Sequence, residues 1–168
     1  MITSNKKLKN LKILIDDISL LKEKKKIIGF TNGCFDLIHK GHLHLLKMCK
    51  AQCDYLIVAI NSDNSIRELK GKDRPINNEA IRVEDLSKID IVDAIVIFSE
   101  DNPLRLIKAI KPNKLFKGSD YINKEIVGQN FILDNGGKVY LIDLLDGYST
   151  TNIINNSTRK KFFDKDII

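Results

Sequence analysis

All three histidines of the chain fall at positions 39, 42 and 44, and two of them form the run His39-Lys40-Gly41-His42. With 3 His and 9 Gly in 168 residues, a His-x-Gly-His pattern arises by chance at roughly 0.003 over the whole chain. It follows Thr31-Asn32-Gly33-Cys34-Phe35-Asp36, between an apolar strand-like segment and a helix-like one. A loop that leaves a buried strand and enters a helix aims backbone N–H groups at an anion, and the helix dipole adds a favourable potential. Two imidazoles there can donate hydrogen bonds to phosphate oxygens, while Gly41 allows close approach where a side chain would collide. Phosphate is the expected ligand. The plainer alternative makes His39 and His42 ordinary capping or surface residues.

Two further groups suit an anion. Lys70 and Lys72 flank Gly71 in a polar loop that could close over phosphates as a positive clamp, though solvated surface lysines would look the same. Ser149-Thr150-Thr151 begin a predicted C-terminal helix through about Phe162, where hydroxyls and backbone amides converge on an anion or simply cap the helix. A metal centre is disfavoured. Cys49 and Cys53 stand four apart on an apolar helix face without a Cys-x-x-Cys pair, so Cys34, Cys49 and Cys53 read as packing residues and no protein-held metal is expected. The chain has no G-x-x-x-x-G-K-[ST], no G-x-G-x-x-G and no G-x-S-x-G, which excludes the corresponding phosphate grip, dinucleotide turn and nucleophile elbow.

These residues need elements to position them. Apolar positions at helical spacing predict an entry helix from about Leu8 to Lys25, and Lys26–Thr31 predicts a short buried strand. Beyond it come a helix from about Gly41, strands over Tyr55–Ile60 and Ala94–Phe98, and a helix near Glu79–Ile89 between them. A helix opened by Pro103, a strand over Lys114–Phe116, a helix over Val127–Asn135 stopped by Gly136-Gly137, and a strand over Val139–Ile142 complete the pattern. Such alternation implies an α/β fold: a Rossmann-like parallel sheet of about five strands with helices on both faces and right-handed crossovers. Ligands of such sheets sit at the carboxyl ends of the strands, where strand order reverses. The expected organisation is an N-terminal helical extension over 1–25 and one domain over 26–168.

Taken together, the motifs resemble those of the cytidylyltransferase-like nucleotidyltransferases. The run from Thr31 to His42 looks like that family's first signature, and Gly147-Tyr148-Ser149-Thr150-Thr151-Asn152-Ile153-Ile154 like its second. Ala59-Ile60-Asn61-Ser62-Asp63, Leu69-Lys70-Gly71-Lys72-Asp73-Arg74-Pro75, Phe116-Lys117-Gly118-Ser119-Asp120-Tyr121 and Asn135-Gly136-Gly137 are similar, in order and spacing, to the adenylyltransferase domain of bifunctional ADP-heptose synthases. The resemblance covers roughly residues 26–157. It implies a nucleotidyltransferase domain that moves AMP from ATP to D-glycero-β-D-manno-heptose 1-phosphate. By the same resemblance, His39 and His42 contact the triphosphate and transition state, with Lys70 and Lys72 closing over them. Thr31, Asn32, Gly33, Cys34, Phe35, Gly41, Arg82, Lys117, Gly118, Ser149, Thr150 and Thr151 are implied on the nucleotide side. Asp36, Asn61 and Asp63 are implied on the substrate side. Mg²⁺ is expected to arrive on the ATP phosphates, since no carboxylate cage is evident.

Departures from that pattern narrow the reading. The sugar-kinase domain usually fused ahead of this module has no counterpart here, which implies a separate kinase for the phosphorylated sugar. Tyr148 stands where the heptose branch usually has a small residue. The segment Leu144-Leu145-Asp146-Gly147 lacks the arginine that the glycerol 3-phosphate cytidylyltransferases place three residues before the glycine, which favours ATP and heptose. A CTP-dependent cytidylyltransferase of a small phosphorylated alcohol is the enzymatic alternative, and an idle nucleotide- or nucleic-acid-binding module the alternative of another class.

Composition bounds the rest. With 168 residues, 43% hydrophobic and 30% charged, the chain suits one globular domain. The 28 basic and 22 acidic residues give a net charge of +6, but the basic residues are scattered rather than grouped, so small phosphorylated molecules are expected as partners and nucleic acid is not. Three cysteines exclude a disulfide-framed fold. No apolar run approaches a membrane span and Met1–Asn10 has no apolar signal region, so a cytoplasmic protein that does not bind membrane is expected. Relatives imply a homodimer or larger homo-oligomer.

Overall fold

The computed structural model describes residues 5–145. Helix α1 (Leu11–Glu23) starts where the Asn10 side chain accepts a hydrogen bond from the Ile13 N–H at 2.9 Å, and it buries Leu14 and Ile18. Strand β1 (Ile28–Gly33) leads into α2 (Lys40–Lys50), and β2 (Tyr55–Asn61) into α3 (Asp63–Lys70) and α4 (Glu79–Ser87). Then follow β3 (Ala94–Phe98), α5 (Leu104–Ile110), β4 (Lys114–Gly118), a single 3₁₀ turn (Ser119–Tyr121), α6 (Gln129–Asp134) and β5 (Lys138–Ile142).

The five strands form one parallel sheet in the order β3-β2-β1-β4-β5. The α/β reading of the sequence therefore holds. The chain builds outward from β1 through β2 to β3, then crosses back to lay β4 and β5 on the other side of β1. Strand order thus reverses between β1 and β4, and their carboxyl ends, Gly33 and Gly118, open the crevice where such sheets hold ligands.

Side chains alternate across the sheet and feed two apolar layers. Ile57 and Ala59 face the layer built with Leu14, Ile18, Leu106, Ile107 and Ile110 of α1 and α5. Leu56, Val58 and Ile60 face the layer built with Leu46, Cys49, Val83 and Leu86 of α2 and α4. Truncating a fully buried leucine such as Leu46 is expected to cost about 2–5 kcal/mol, because the lost transfer energy is joined by a cavity. Before α1 the chain also joins the sheet edge: Lys9 N–H donates to Ile95 O at 2.9 Å and Ile95 N–H to Lys7 O at 2.7 Å.

Several elements differ from the sequence reading. Helix α3 falls where the sequence predicts only a polar loop between the Tyr55–Ile60 strand and the Glu79–Ile89 helix; only Ser65 and Ile66 of its eight residues are buried, so it lacks an apolar stripe. Its start is set by Ser62, whose hydroxyl accepts from the Ser65 N–H at 3.2 Å. Cys53 lies beyond the end of α2, its thiol donating to the Cys49 carbonyl at 3.3 Å. Helix α6 begins at Gln129 rather than Val127, because Gly128 takes a left-handed conformation at φ +85°. The C-terminal helix expected from Ser149 lies outside the described residues. Among the described residues, no helix is long and apolar enough to cross a membrane.

Candidate nucleotide site

Between β1 and α2 the chain makes its turn on Phe35, which adopts a left-handed φ of +46° and is buried against the backbone of Gly33. A phenylalanine in that region is strained by about 1–3 kcal/mol, and its burial holds it there. The Phe35 ring lies 5.1 Å from that of His42.

His39 is the N-cap of α2 and His42 stands three residues inside it. The Nδ1 of His39 accepts from the Gly41 N–H at 3.1 Å, and the Nδ1 of His42 accepts from the His39 N–H at 3.4 Å. Two imidazoles thus fill the roles that a hydroxyl and a carboxylate fill in an ordinary capping box. Their ring centroids are 3.9 Å apart. A nitrogen that accepts an N–H carries no proton, so each neutral ring holds its proton on Nε2, the nitrogen remote from the cap. Burial, and then the charges of His39 and Lys70, push His42 down to about 3; burial also lowers His39. Both rings are therefore neutral donors at physiological pH. The capping role and the anion-donor role coexist because they use different nitrogens.

Lys117 enters from β4. Its Nζ donates to Asn32 Oδ1 on β1 at 2.6 Å, linking the two strands at the reversal point, and lies 4.9 Å from the centre of the Tyr121 ring. Burial pushes this amine down to about 8, although Asp120 and Cys34 act to raise it. Gly118 follows because a Cβ there would stand 2.6 Å from Asp120 Oδ1 and 2.9 Å from Leu144. Thr31 is buried in β1, and Cys34 Sγ donates to Asn61 Oδ1 at 3.8 Å, while Asn61 Nδ2 donates to Ser65 Oγ at 3.1 Å.

Beneath this loop lies a polar brace. Arg82 is 0% exposed and donates to Cys34 O at 2.8 Å, Asn77 O at 3.1 Å and Asp63 Oδ1 at 2.8 Å. Its carboxylate partner is Asp63 and not Glu79, whose Oε2 instead accepts from the Asp63 N–H at 3.2 Å. Asp36 is 2% exposed. Its carboxylate accepts from Arg74 Nε at 2.7 Å and from the Ile76 and Asn77 N–H groups at 3.0 and 2.9 Å. Of the two roles a carboxylate could have here, fixing the loop or taking a sugar hydroxyl, the geometry supplies the first. Arg74 and Asn77, which complete this brace, escaped sequence reasoning. The one available signal was the place of Arg74 within the Leu69–Pro75 run, two residues after Lys72.

Strand ends and the first turn of α2 thus bring together residues 31–35, His39, Gly41, His42, Asn61, Lys117 and Gly118. Lys70, the last residue of α3, and Lys72, on the turn that follows, are both exposed, with Gly71 between them at φ +97° and nothing within 4 Å of the place a Cβ would take. Ser149, Thr150 and Thr151 lie outside the described residues. Cys49 and Cys53 are structural: burial pushes their thiols up to about 12 and about 11. Among the described residues, no group of three or more His, Cys, Asp or Glu is placed to hold a metal ion. The carboxylates of Asp36 and Asp63 are already committed to Arg74, Arg82 and backbone amides, so these residues do not fit a Mg²⁺ cage.

Residues 30–156 match the model of the cytidylyltransferase-like family. Among curated relatives, the chain is 52% identical over 127 residues to bifunctional protein HldE of Rhodopseudomonas palustris (strain BisA53), covering 76% of this chain and 26% of that protein. It is 47% identical over 156 residues to bifunctional protein HldE of Geobacter metallireducens, covering 93% and 32%. The chain therefore spans about a quarter to a third of the length of these relatives. Among solved structures, a lipopolysaccharide core biosynthesis protein from Thermoplasma volcanium aligns with a TM-score of 0.58 at 28% identity, over 74% of this chain and 99% of that one. A pantoate-β-alanine ligase from Francisella tularensis aligns at 0.61 and 21% identity over 94% and 80%, a likeness of fold alone. On the match over residues 30–156, the chain belongs to the cytidylyltransferase-like family.

Proposed function

We propose that this domain transfers AMP from ATP to D-glycero-β-D-manno-heptose 1-phosphate, giving ADP-heptose and pyrophosphate. The observation that carries the reading is the His39–His42 pair: two neutral imidazoles whose Nδ1 atoms are used in the cap, at a helix start on the reversal point of the sheet. Identity near half with the bifunctional HldE proteins supports it, as do the motifs shared with the adenylyltransferase domain of ADP-heptose synthases. The lipopolysaccharide core protein supports a sugar acceptor.

An oxygen of the acceptor phosphate attacks the α-phosphorus of ATP. That P–O bond forms as the bond to the bridging oxygen breaks, and pyrophosphate leaves with the electron pair. The attacking oxygen is already anionic, so no general base is required; the protein aligns the groups and stabilises charge. The Nε2–H groups of His39 and His42, the amides opening α2 and the Lys117 ammonium serve that end. Thr150 and its hydroxyl neighbours are the proposed β- and γ-phosphate donors. Mg²⁺ would be carried by phosphate oxygens of the nucleotide.

The test is pyrophosphate release with Mg²⁺, heptose 1-phosphate and either ATP or CTP, run beside His42→Ala. ATP-dependent release abolished by the substitution is the expected result. Release with CTP in its place rejects the adenylyl assignment, and release with neither rejects the acceptor.

A further inference from the structure

Arg74 directly follows the exposed turn of residues 71–73, and its N–H donates to Gly71 O at 3.2 Å. Its side chain, 17% exposed, reaches back to the loop between β1 and α2 and donates from Nε to Asp36 Oδ2 at 2.7 Å. A guanidinium commonly meets a carboxylate with two parallel N–H groups. Here the carboxylate is largely taken, because Oδ2 also accepts from the Ile76 N–H and Oδ1 accepts from the Asn77 N–H. Nη2 of Arg74 is left buried with no hydrogen-bond partner among the described residues.

A buried cationic N–H₂ group without an acceptor is disfavoured, and each such group in a folded protein calls for an explanation. Asp36 lies on the short loop that ends at His39, the N-cap of the helix carrying His42, so the Asp36 contact ties the guanidinium to the segment that leads into both imidazoles. Lys72 on the same turn and Lys70 at the end of α3 add positive potential. A planar fork held at one tine, with the other unused, suits an anionic oxygen. We infer that Arg74 is a substrate-binding residue whose Nη2 donates to a phosphate oxygen, either of the acceptor or of the nucleotide. This inference rests on the phosphoryl-transfer reading above.

The test uses the whole chain with Arg74→Lys and Arg74→Ala. Lysine keeps a cation on Asp36 through one N–H and removes Nη2, which separates holding Asp36 from binding a substrate. Pyrophosphate release is measured with ATP and heptose 1-phosphate varied in turn, beside thermal unfolding. The expected result for Arg74→Lys is one KM raised about tenfold or more with the other within about twofold and an unchanged unfolding midpoint; the KM that moves tells whose oxygen is bound. Wild-type KM values in Arg74→Lys overturn the inference and leave Arg74 as a holder of Asp36. Both KM values raised together with a lower midpoint also overturn it, as the signature of a loosened loop. If the wild-type chain releases no pyrophosphate, the reaction assigned above fails, and calorimetric titration with inorganic phosphate and with ATP then judges Arg74 alone. Binding weakened about tenfold in Arg74→Lys supports the contact. Equal binding, or no binding by the wild type, overturns it.

Discussion

His39 and His42 cap one another across the first turn of α2, each accepting a backbone N–H on Nδ1, with their rings 3.9 Å apart. The helix start is thereby built from the same side chains that are proposed to meet the nucleotide. Structure and chemistry can be separated because the cap needs an acceptor three residues into the helix, whereas the reaction needs a donor on Nε2. His42→Ala is expected to lower turnover by about two to four orders of magnitude while costing about 1–2 kcal/mol of stability. His42→Gln restores a capping acceptor, so it is expected to recover the stability and not the rate. Steady-state pyrophosphate release and urea unfolding check both. Unchanged turnover in a folded His42→Ala protein would remove His42 from the site.

Lys117 carries a pH dependence. Burial lowers its amine from 10.5 to about 8, so the ammonium that faces the strand ends is present below about 8 and lost above it. Turnover is expected to fall as pH rises through about 8. Lys117→Arg keeps its charge across this range and is expected to remove that limb of the profile. The stability effect has the opposite sense. Between about 8 and 10.5 the unfolded chain holds this proton and the folded protein does not, so this group adds stability as pH rises across that window. A pH profile with no break near 8 would argue that Lys117 reaches no phosphate.

Arg82 is the brace on which the loop depends. Its guanidinium, fully buried, joins the carbonyls of Cys34 and Asn77 to the Asp63 carboxylate. Arg82→Met fills much of the volume but leaves these acceptors unpaired. Asp63 is 21% exposed and regains some hydration, so the expected cost is about 2–4 kcal/mol. Urea unfolding measures it. A loss below about 0.5 kcal/mol would show that water replaces the guanidinium at no cost.

How much of this could be read from the chain follows from where each signal lies. The β2 and β3 runs, YLIVAI and AIVIF, are continuous apolar segments of strand length because both faces of the sheet are covered. The His-x-Gly-His loop is local, so its place at a strand-to-helix junction was legible too. Asp36 and Arg82 were visible as charged residues near the site, but the Asp36 side-chain partners stand about 40 residues away and the Cys34 carbonyl that Arg82 meets stands 48 away. Asp36 meets Arg74 and Asn77, and Arg82 meets Cys34, through folding of the intervening chain, and no spacing rule encodes such contacts. Helix α3 leaves little trace in the sequence for a different reason: it packs through little more than Ile66, and its cap, Ser62, resembles any loop serine.

Cys34 offers a reporter for the site. Cys49 is fully buried, and the Cys49 and Cys53 thiols are pushed up to about 12 and about 11, which suppresses the reactive thiolate. Cys34 is half-buried on the loop between β1 and α2, with Sγ turned to Asn61 Oδ1. An aromatic disulfide reagent is therefore expected to label one thiol rapidly, and Cys34→Ser to abolish that phase. A nucleotide seated on the amides of residues 33–35 would cover this thiol. Saturating ATP is accordingly expected to slow the fast phase about tenfold or more, the loss of rate matching the fraction of protein left unbound. An equal slowing by pyrophosphate alone would place the cover on the triphosphate end. Labelling of Cys34 at the same rate with and without ATP would move the nucleotide off this loop, away from the His39–His42 pair.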